Sequence, residues 1–137
     1  MKFSSTNYHL INLLFALVII AIILYSLIFH GTNHPVPALL TDTTGLVPPS
    51  KGLSSSFSEI VRGNIAKAYS YNPYGFQIFA FFIIELLMRG LLSVLIIGRW
   101  VKIFHLLVID IFVSVLLFIL CFAPMIIYTI QLFTQLF

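Results

Sequence analysis

Long apolar runs alternate with one polar passage along this chain. The first run covers residues 8–29, is rich in Leu, Ile and Val, and has Asn12 and Ser26 as polar interruptions. In lipid, a helix is what satisfies the backbone of such a run. A second run covers 74–98 and a third 103–123, joined by Gly98-Arg99-Trp100-Val101-Lys102. Two cations and a Trp there predict a short hairpin at a membrane edge. Each run reaches the roughly 20 residues needed to cross a hydrocarbon core. No charged side chain occurs from Ile111 to Phe137. Pro124 removes one helical hydrogen bond, so residues 124–137 either continue the third helix outward or lie at the membrane surface.

Between the first two runs the pattern changes. His30-Gly31 permits a helix cap, and Pro35 and Pro37 prevent the helix from resuming. Residues 30–55 therefore predict an extended polar loop, with turns at Thr44-Gly45 and from Pro48 to Gly52. Ser56-Phe57-Ser58-Glu59 has the form of a capping box that opens a helix over 56–70. At 3.6-residue spacing, Phe57, Ile60, Val61, Ile65, Ala68 and Tyr69 share one face, with Asn64 intruding on it. Ser58, Glu59, Arg62, Gly63, Ala66, Lys67 and Ser70 share the other. This helix is too short to span, so it is expected to lie in the headgroup plane with its apolar face as a docking surface. Asn72-Pro73 ends it and turns the chain into the second run. Gly45, Gly52, Asn72 and Pro73 are the turn and hinge residues of this passage. The expected fold is an all-α integral membrane protein, with three transmembrane helices and one interfacial amphipathic helix between the first and second.

Composition agrees with lipid as the solvent. Of 137 residues, 61% are hydrophobic and 8% charged, and the mean hydropathy is +1.11. A soluble domain carries about 25% charged residues. The net charge of +3 is spread over the chain without a Lys/Arg cluster, which argues against nucleic acid as a partner. Cys121 is the single cysteine, so neither an intrachain disulfide nor a cysteine metal site is available. Lys2 precedes an apolar run longer than a signal-peptide core, and no small-x-small site follows, so an uncleaved anchor is expected. With the N-terminus inside, Lys2, Arg99 and Lys102 lie close to spans on the inner side. Lys51, Arg62 and Lys67 then lie outside in a long loop, where charges count less. A cytoplasmic N-terminus is thus favoured, in a multi-pass membrane protein.

Glu85 and Arg89 stand four apart on the second predicted span, Glu on the N-terminal side, the better orientation for a pair. Either charge alone at the centre of a span costs about 2.5–3.5 kcal/mol on insertion scales. Folding the chain at the 98–102 hairpin brings Arg89 and Asp110 to one depth and Glu85 level with Ser114. Glu85, Arg89 and Asp110 can then form one buried cluster. It serves either as a clasp between helices or a contact to a partner subunit, or else as part of a proton or ion path. A relay across the whole bilayer would need further titratable groups.

The histidines allow two other constellations. His30 and His34 have helical spacing for two metal ligands, but Gly31 and Pro35 oppose a helix there and only Asp42 offers a third ligand. His9 and His105 would lie near one membrane face, as a bis-histidine haem requires. Interfacial histidines are the commoner outcome, and no cofactor or metal is expected. Ser54, Ser55, Ser56 and Ser58 lack a nucleophile elbow or companion His-Asp pattern, so no catalytic set is assigned.

The stretch from Thr41 to Arg89 resembles the bacterial domain-of-unknown-function family 2752, small membrane proteins of two or three spans. That family has a Cys-Pro-x-Cys-Gly-like turn, a short helix with a Gly-Asp-like step, an Ala, and Asn-Pro before a span. Thr44-Gly45-Leu46 looks like the end of the turn and Arg62-Gly63-Asn64 like the middle step. Ala68, Tyr69, Tyr71, Asn72 and Pro73 look like the exit. The resemblance covers about a third of the chain. Thr41 and Thr44 stand where the family has cysteines, Asp42 where it has Pro, and Val47–Gly52 is an insertion. Cysteine chemistry therefore cannot operate here, and the surviving pattern implies a structural or docking role. The expected function is a non-enzymatic accessory or structural subunit of a larger bacterial inner-membrane complex, with lipid and other integral membrane subunits as partners. A small lipid- or ion-handling transporter component using Glu85, Arg89 and Asp110 is the alternative, and a haem- or metal-binding redox protein the third.

Overall fold

The computed structural model describes residues 5–29, 47–98 and 102–134. The described residues form five helices and no strand: α1 (Ser5–Ile28), α2 (Leu53–Val61), α3 (Ile65–Tyr71), α4 (Gly75–Ile97) and α5 (Ile103–Thr134). Three of them, α1, α4 and α5, are long and apolar enough to cross a membrane. At 1.5 Å per residue α1 and α4 are each about 35 Å long and α5 about 48 Å, against a hydrocarbon core of about 30 Å.

Helix α4 packs between α1 and α5, antiparallel to both. Asn12 near the start of α1 meets Arg89 and Ser93 late in α4, and Arg89 meets Asp110 early in α5. At the opposite end Tyr74 faces Tyr128 with ring centroids 6.4 Å apart. The buried positions follow a seven-residue rhythm. Tyr8, Asn12, Ile19 and Ser26 form the inner seam of α1, and Gly75, Ile78, Glu85, Arg89 and Leu92 that of α4. Such seams belong to near-parallel helix packing. Most other apolar side chains point outward, as lipid as the solvent would allow.

Helix α5 runs unbroken through Pro124. The missing N–H of Pro124 frees one carbonyl but does not end the helix. Residues 124–134 therefore continue the third spanning-length helix; the remainder of the tail lies outside the described residues.

The polar passage differs from the single capped helix expected over 56–70. The helix starts earlier, at Leu53, behind Gly52 in the left-handed region (φ 77°), and no side chain caps it. Ser56 lies inside this helix, so the Ser56–Glu59 capping box does not form. The helix also breaks in the middle. Gly63 takes φ 81°, its amide donates to the Ile60 carbonyl, and the Asn64 amide donates to the Glu59 carbonyl. This pair of bonds is a Schellman stop, which glycine in the left-handed region makes inexpensive. A second short helix, α3, then begins at Ile65. Together α2 and α3 form an elbow against the end of α1 and the start of α4.

Candidate functional site

Helix α2 turns part of its polar side inward, while Arg62, Lys67 and Ser70 of that side stay exposed. Ser56, Ser58 and Glu59 are 0% exposed, whereas Ile65 and Tyr69 are 46% and 65% exposed. Of the expected docking face, Phe57 and Ala68 are buried, Ile60 and Val61 half-buried, and Asn64 exposed. The inward turn of Ser58 has a local cause. Helix α1 ends beside α2, and its last carbonyls have no partner within α1. Ser58 Oγ donates to the Phe29 carbonyl at 2.8 Å. Arg62 Nη1 donates to the Ser26 carbonyl at 3.2 Å, and Nη2 to that of Leu27 at 2.8 Å. A cation at this helix end also suits the axial dipole. Phe57 is the apolar anchor, edge-on to Phe79 at 5.3 Å and Phe82 at 6.0 Å.

Two further contacts lock the elbow. Glu59 holds Lys67 Nζ at 2.9 Å and accepts from Asn64 Nδ2 at 2.9 Å. The hydrogen bond to Glu59 and its negative charge raise the Lys67 ammonium above the ordinary lysine range. Buried Asn72 donates through Nδ2 to the carbonyls of Pro49 (2.8 Å) and Lys51 (2.9 Å), and its Oδ1 accepts from the Tyr74 amide (2.9 Å). Of the expected turn and hinge residues, Asn72 thus ties the 48–52 turn to the start of α4, with exposed Pro73 between. Gly52 sits where a Cβ would run into the Tyr71 carbonyl. Gly45 lies outside the described residues.

A second polar cluster lies toward the other end of the bundle. Arg89 is its centre. Nη1 donates to Asp110 Oδ2 at 2.8 Å, and Nη2 donates to Glu85 Oε2 and Ser114 Oγ, each at 2.8 Å. Nη2 also pairs with Asp110 Oδ1 at 2.5 Å, making the Arg89–Asp110 pair two-pronged. Glu85, Arg89 and Asp110 are all buried, at 5%, 8% and 7% exposure. Helix α1 completes the cluster with Tyr8 and Asn12, one turn apart. Tyr8 Oη donates to Asp110 Oδ2 at 2.5 Å. Asn12 Nδ2 donates to the Arg89 carbonyl and to Ser93 Oγ, each at 2.6 Å, and Asn12 Oδ1 accepts from Arg89 Nη1 at 3.3 Å. Phe15 stacks under the guanidinium with its ring centroid 5.8 Å away. All three spanning-length helices therefore meet at one guanidinium.

Sequence reasoning places Glu85, Arg89 and Asp110 together, but not Tyr8, Asn12 or Ser93. The available signal is the spacing of Tyr8, Asn12, Ile19 and Ser26, a polar-containing stripe at heptad rhythm on an otherwise apolar helix. Ser58 and Arg62, expected on the outer face, instead turn toward the end of α1.

The histidines fall apart from both clusters. His9 is half-buried and its Nδ1 has no hydrogen-bond partner, while His105 is exposed in the first turn of α5. His30, His34 and Asp42 lie outside the described residues. Among the described residues no group of three His, Cys, Asp or Glu side chains converges. No family model, curated protein or solved structure matches this chain.

Proposed function

We propose that this chain is a non-enzymatic accessory subunit of a larger bacterial inner-membrane complex. The observation that carries this reading is the hydrogen-bonded network around Arg89. It pairs polar groups of α1, α4 and α5 with one another, as a clasp does, and ties the three helices together. The surfaces that the spanning-length helices leave outward are largely apolar. Helix α5 buries only Leu106 and Asp110 among its side chains, and the elbow exposes Ile65 and Tyr69. On this reading the elbow lies at the membrane surface as an interfacial docking element, with the N-terminus cytoplasmic and the elbow on the opposite side. The resemblance of Thr41–Arg89 to a bacterial membrane family supports the setting.

The test is purification of the tagged chain from native membranes in a mild detergent. A larger membrane subunit should accompany it at fixed stoichiometry and be lost with Ile65→Asp or Tyr69→Asp. Recovery of the chain alone, as a monomer, would overturn the proposal. Labelling of Ala66→Cys in a Cys121→Ser background by an impermeant thiol reagent from the outside tests the orientation.

One observation favours a second reading, an ion-handling component. Glu85 Oε1 and Arg89 Nε are buried without hydrogen-bond partners, so the cluster is not fully closed. This reading requires ion or proton flux in liposomes that falls with Glu85→Gln; absence of flux ends it.

A further inference from the structure

We propose that the groove between α1 and α2 holds one acyl chain of an anionic glycerophospholipid, with the lipid phosphate at Arg62. The groove has a volume of about 450 Å³ and is walled by Val18, Ala21 and Tyr25 of α1 and by Leu53, Ser54 and Phe57 of α2. Its walls are apolar along α1, and Val18 and Ala21 are exposed along its open side.

Its length fits one leaflet. Val18 lies ten residues before the end of α1, which is about 15 Å of helix. Half of a hydrocarbon core is also about 15 Å. A chain entering beside the end of α1 and following the groove inward would reach the level of Val18 at mid-bilayer.

The charge at the entrance selects the headgroup. Ser26 lines the groove, and its carbonyl accepts from Arg62 at 3.2 Å, so the guanidinium stands at the groove's α1-terminal end. Arg62 is exposed, and among the described residues its hydrogen bonds run to the carbonyls of Ser26, Leu27 and Ser58. These orient it without cancelling its charge. The helix terminus offsets about half a unit charge, which leaves the site positive. Lys51 and Lys67 lie on the same end of the molecule, and among the described residues Glu59, already paired with Lys67, is the one carboxylate there. An anionic phosphate therefore meets a cation, and its chain meets an apolar wall, within one site.

Native mass spectrometry of the purified full-length chain tests this, using phosphatidylglycerol and phosphatidylcholine with identical acyl chains. One phosphatidylglycerol per chain should survive activation that strips phosphatidylcholine. Arg62→Gln should lower that retention about fivefold, as expected for one cation at a lipid headgroup, and Arg62→Lys should restore most of it. Ala21→Trp fills the groove and should abolish retention, whereas Leu87→Trp, on the exposed side of α4, should leave it unchanged. Because Arg62 also closes α1, thermal unfolding is recorded for every variant; if Arg62→Gln does not fold, Ala21→Trp decides. Equal retention of the two lipids by the native chain overturns the proposal, as does unchanged retention in Ala21→Trp. A dimer that disappears with Ala21→Trp assigns the groove to a second copy and overturns it as well. The readout is a lipid on the isolated chain, so its failure is separate from failure to find a partner complex.

Discussion

Arg89 and Asp110 meet in two-pronged geometry across the α4–α5 contact, Nη1 to Oδ2 at 2.8 Å and Nη2 to Oδ1 at 2.5 Å. Among the described residues, the one other charged partner of this pair is Glu85, which shares Arg89 Nη2. Truncating one partner of such a buried pair strands the other. Asp110→Ala should therefore destabilise the fold by about 3–5 kcal/mol. Asp110→Asn, which keeps an acceptor for Arg89 and Tyr8, should cost less. Reversible unfolding in detergent would measure both. If the cluster is a clasp, the triple variant Glu85→Leu, Arg89→Met, Asp110→Leu should be more stable than Asp110→Ala, because no charge remains stranded.

Asn72 carries the second prediction. Its amide donates to two carbonyls of the 48–52 turn, so an isosteric carboxylate there would face acceptors with no hydrogen to offer. Asn72→Asp should cost about 1–3 kcal/mol, the range for leaving buried groups unsatisfied. The loss should appear as faster proteolytic nicking between residues 47 and 52, with the bundle of α1, α4 and α5 still intact. Unchanged nicking would show that the turn is held by other contacts.

How far the sequence leads differs between the two ends of the molecule. The spanning-length helices are legible because each is a long apolar run, and lipid as solvent leaves the backbone no alternative to a helix. Glu85, Arg89 and Asp110 are legible because a stranded charge in such a run demands a partner at matching depth. Tyr8 and Asn12 are harder, since an uncharged polar residue in a span carries no comparable demand. The elbow defeats the pattern for a definite reason. Amphipathic periodicity assumes that the protein side of a helix is apolar, but here the neighbour is the open end of α1, whose carbonyls call for Ser58 and Arg62. The break at Gly63 is equally hidden, because a glycine inside a helical pattern marks a stop only when its φ is positive.

Two glycines of the elbow give a graded pair. Gly63 has φ 81° and open space where a Cβ would stand, so Gly63→Ala meets only the backbone penalty of the left-handed region. That should cost about 1–2 kcal/mol. Gly52 has φ 77° and in addition points toward the Tyr71 carbonyl, which is backbone and cannot swing away. Gly52→Ala should therefore be the more damaging of the two. Thermal unfolding of both variants in one detergent decides the order; a milder Gly52→Ala would mean that the turn and α3 separate at little cost.

The Glu59–Lys67 pair predicts a pH response confined to the elbow. Lys67 titrates above its ordinary value of 10.5 because it donates a hydrogen bond to Glu59 and stands beside its charge. A lysine raised in the folded state contributes stability that is fully present below the unfolded value. That contribution fades as the pH rises through the folded value. Amide exchange in α3 should therefore be steady on the acid side of pH 10.5 and, after correction for the intrinsic rate, quicken above it. The amides of α4 should not follow. Lys67→Met should remove the alkaline step, since the Glu59–Lys67 pair is gone at every pH while Asn64 still donates to Glu59. An alkaline step that persists in Lys67→Met would assign the response to another group.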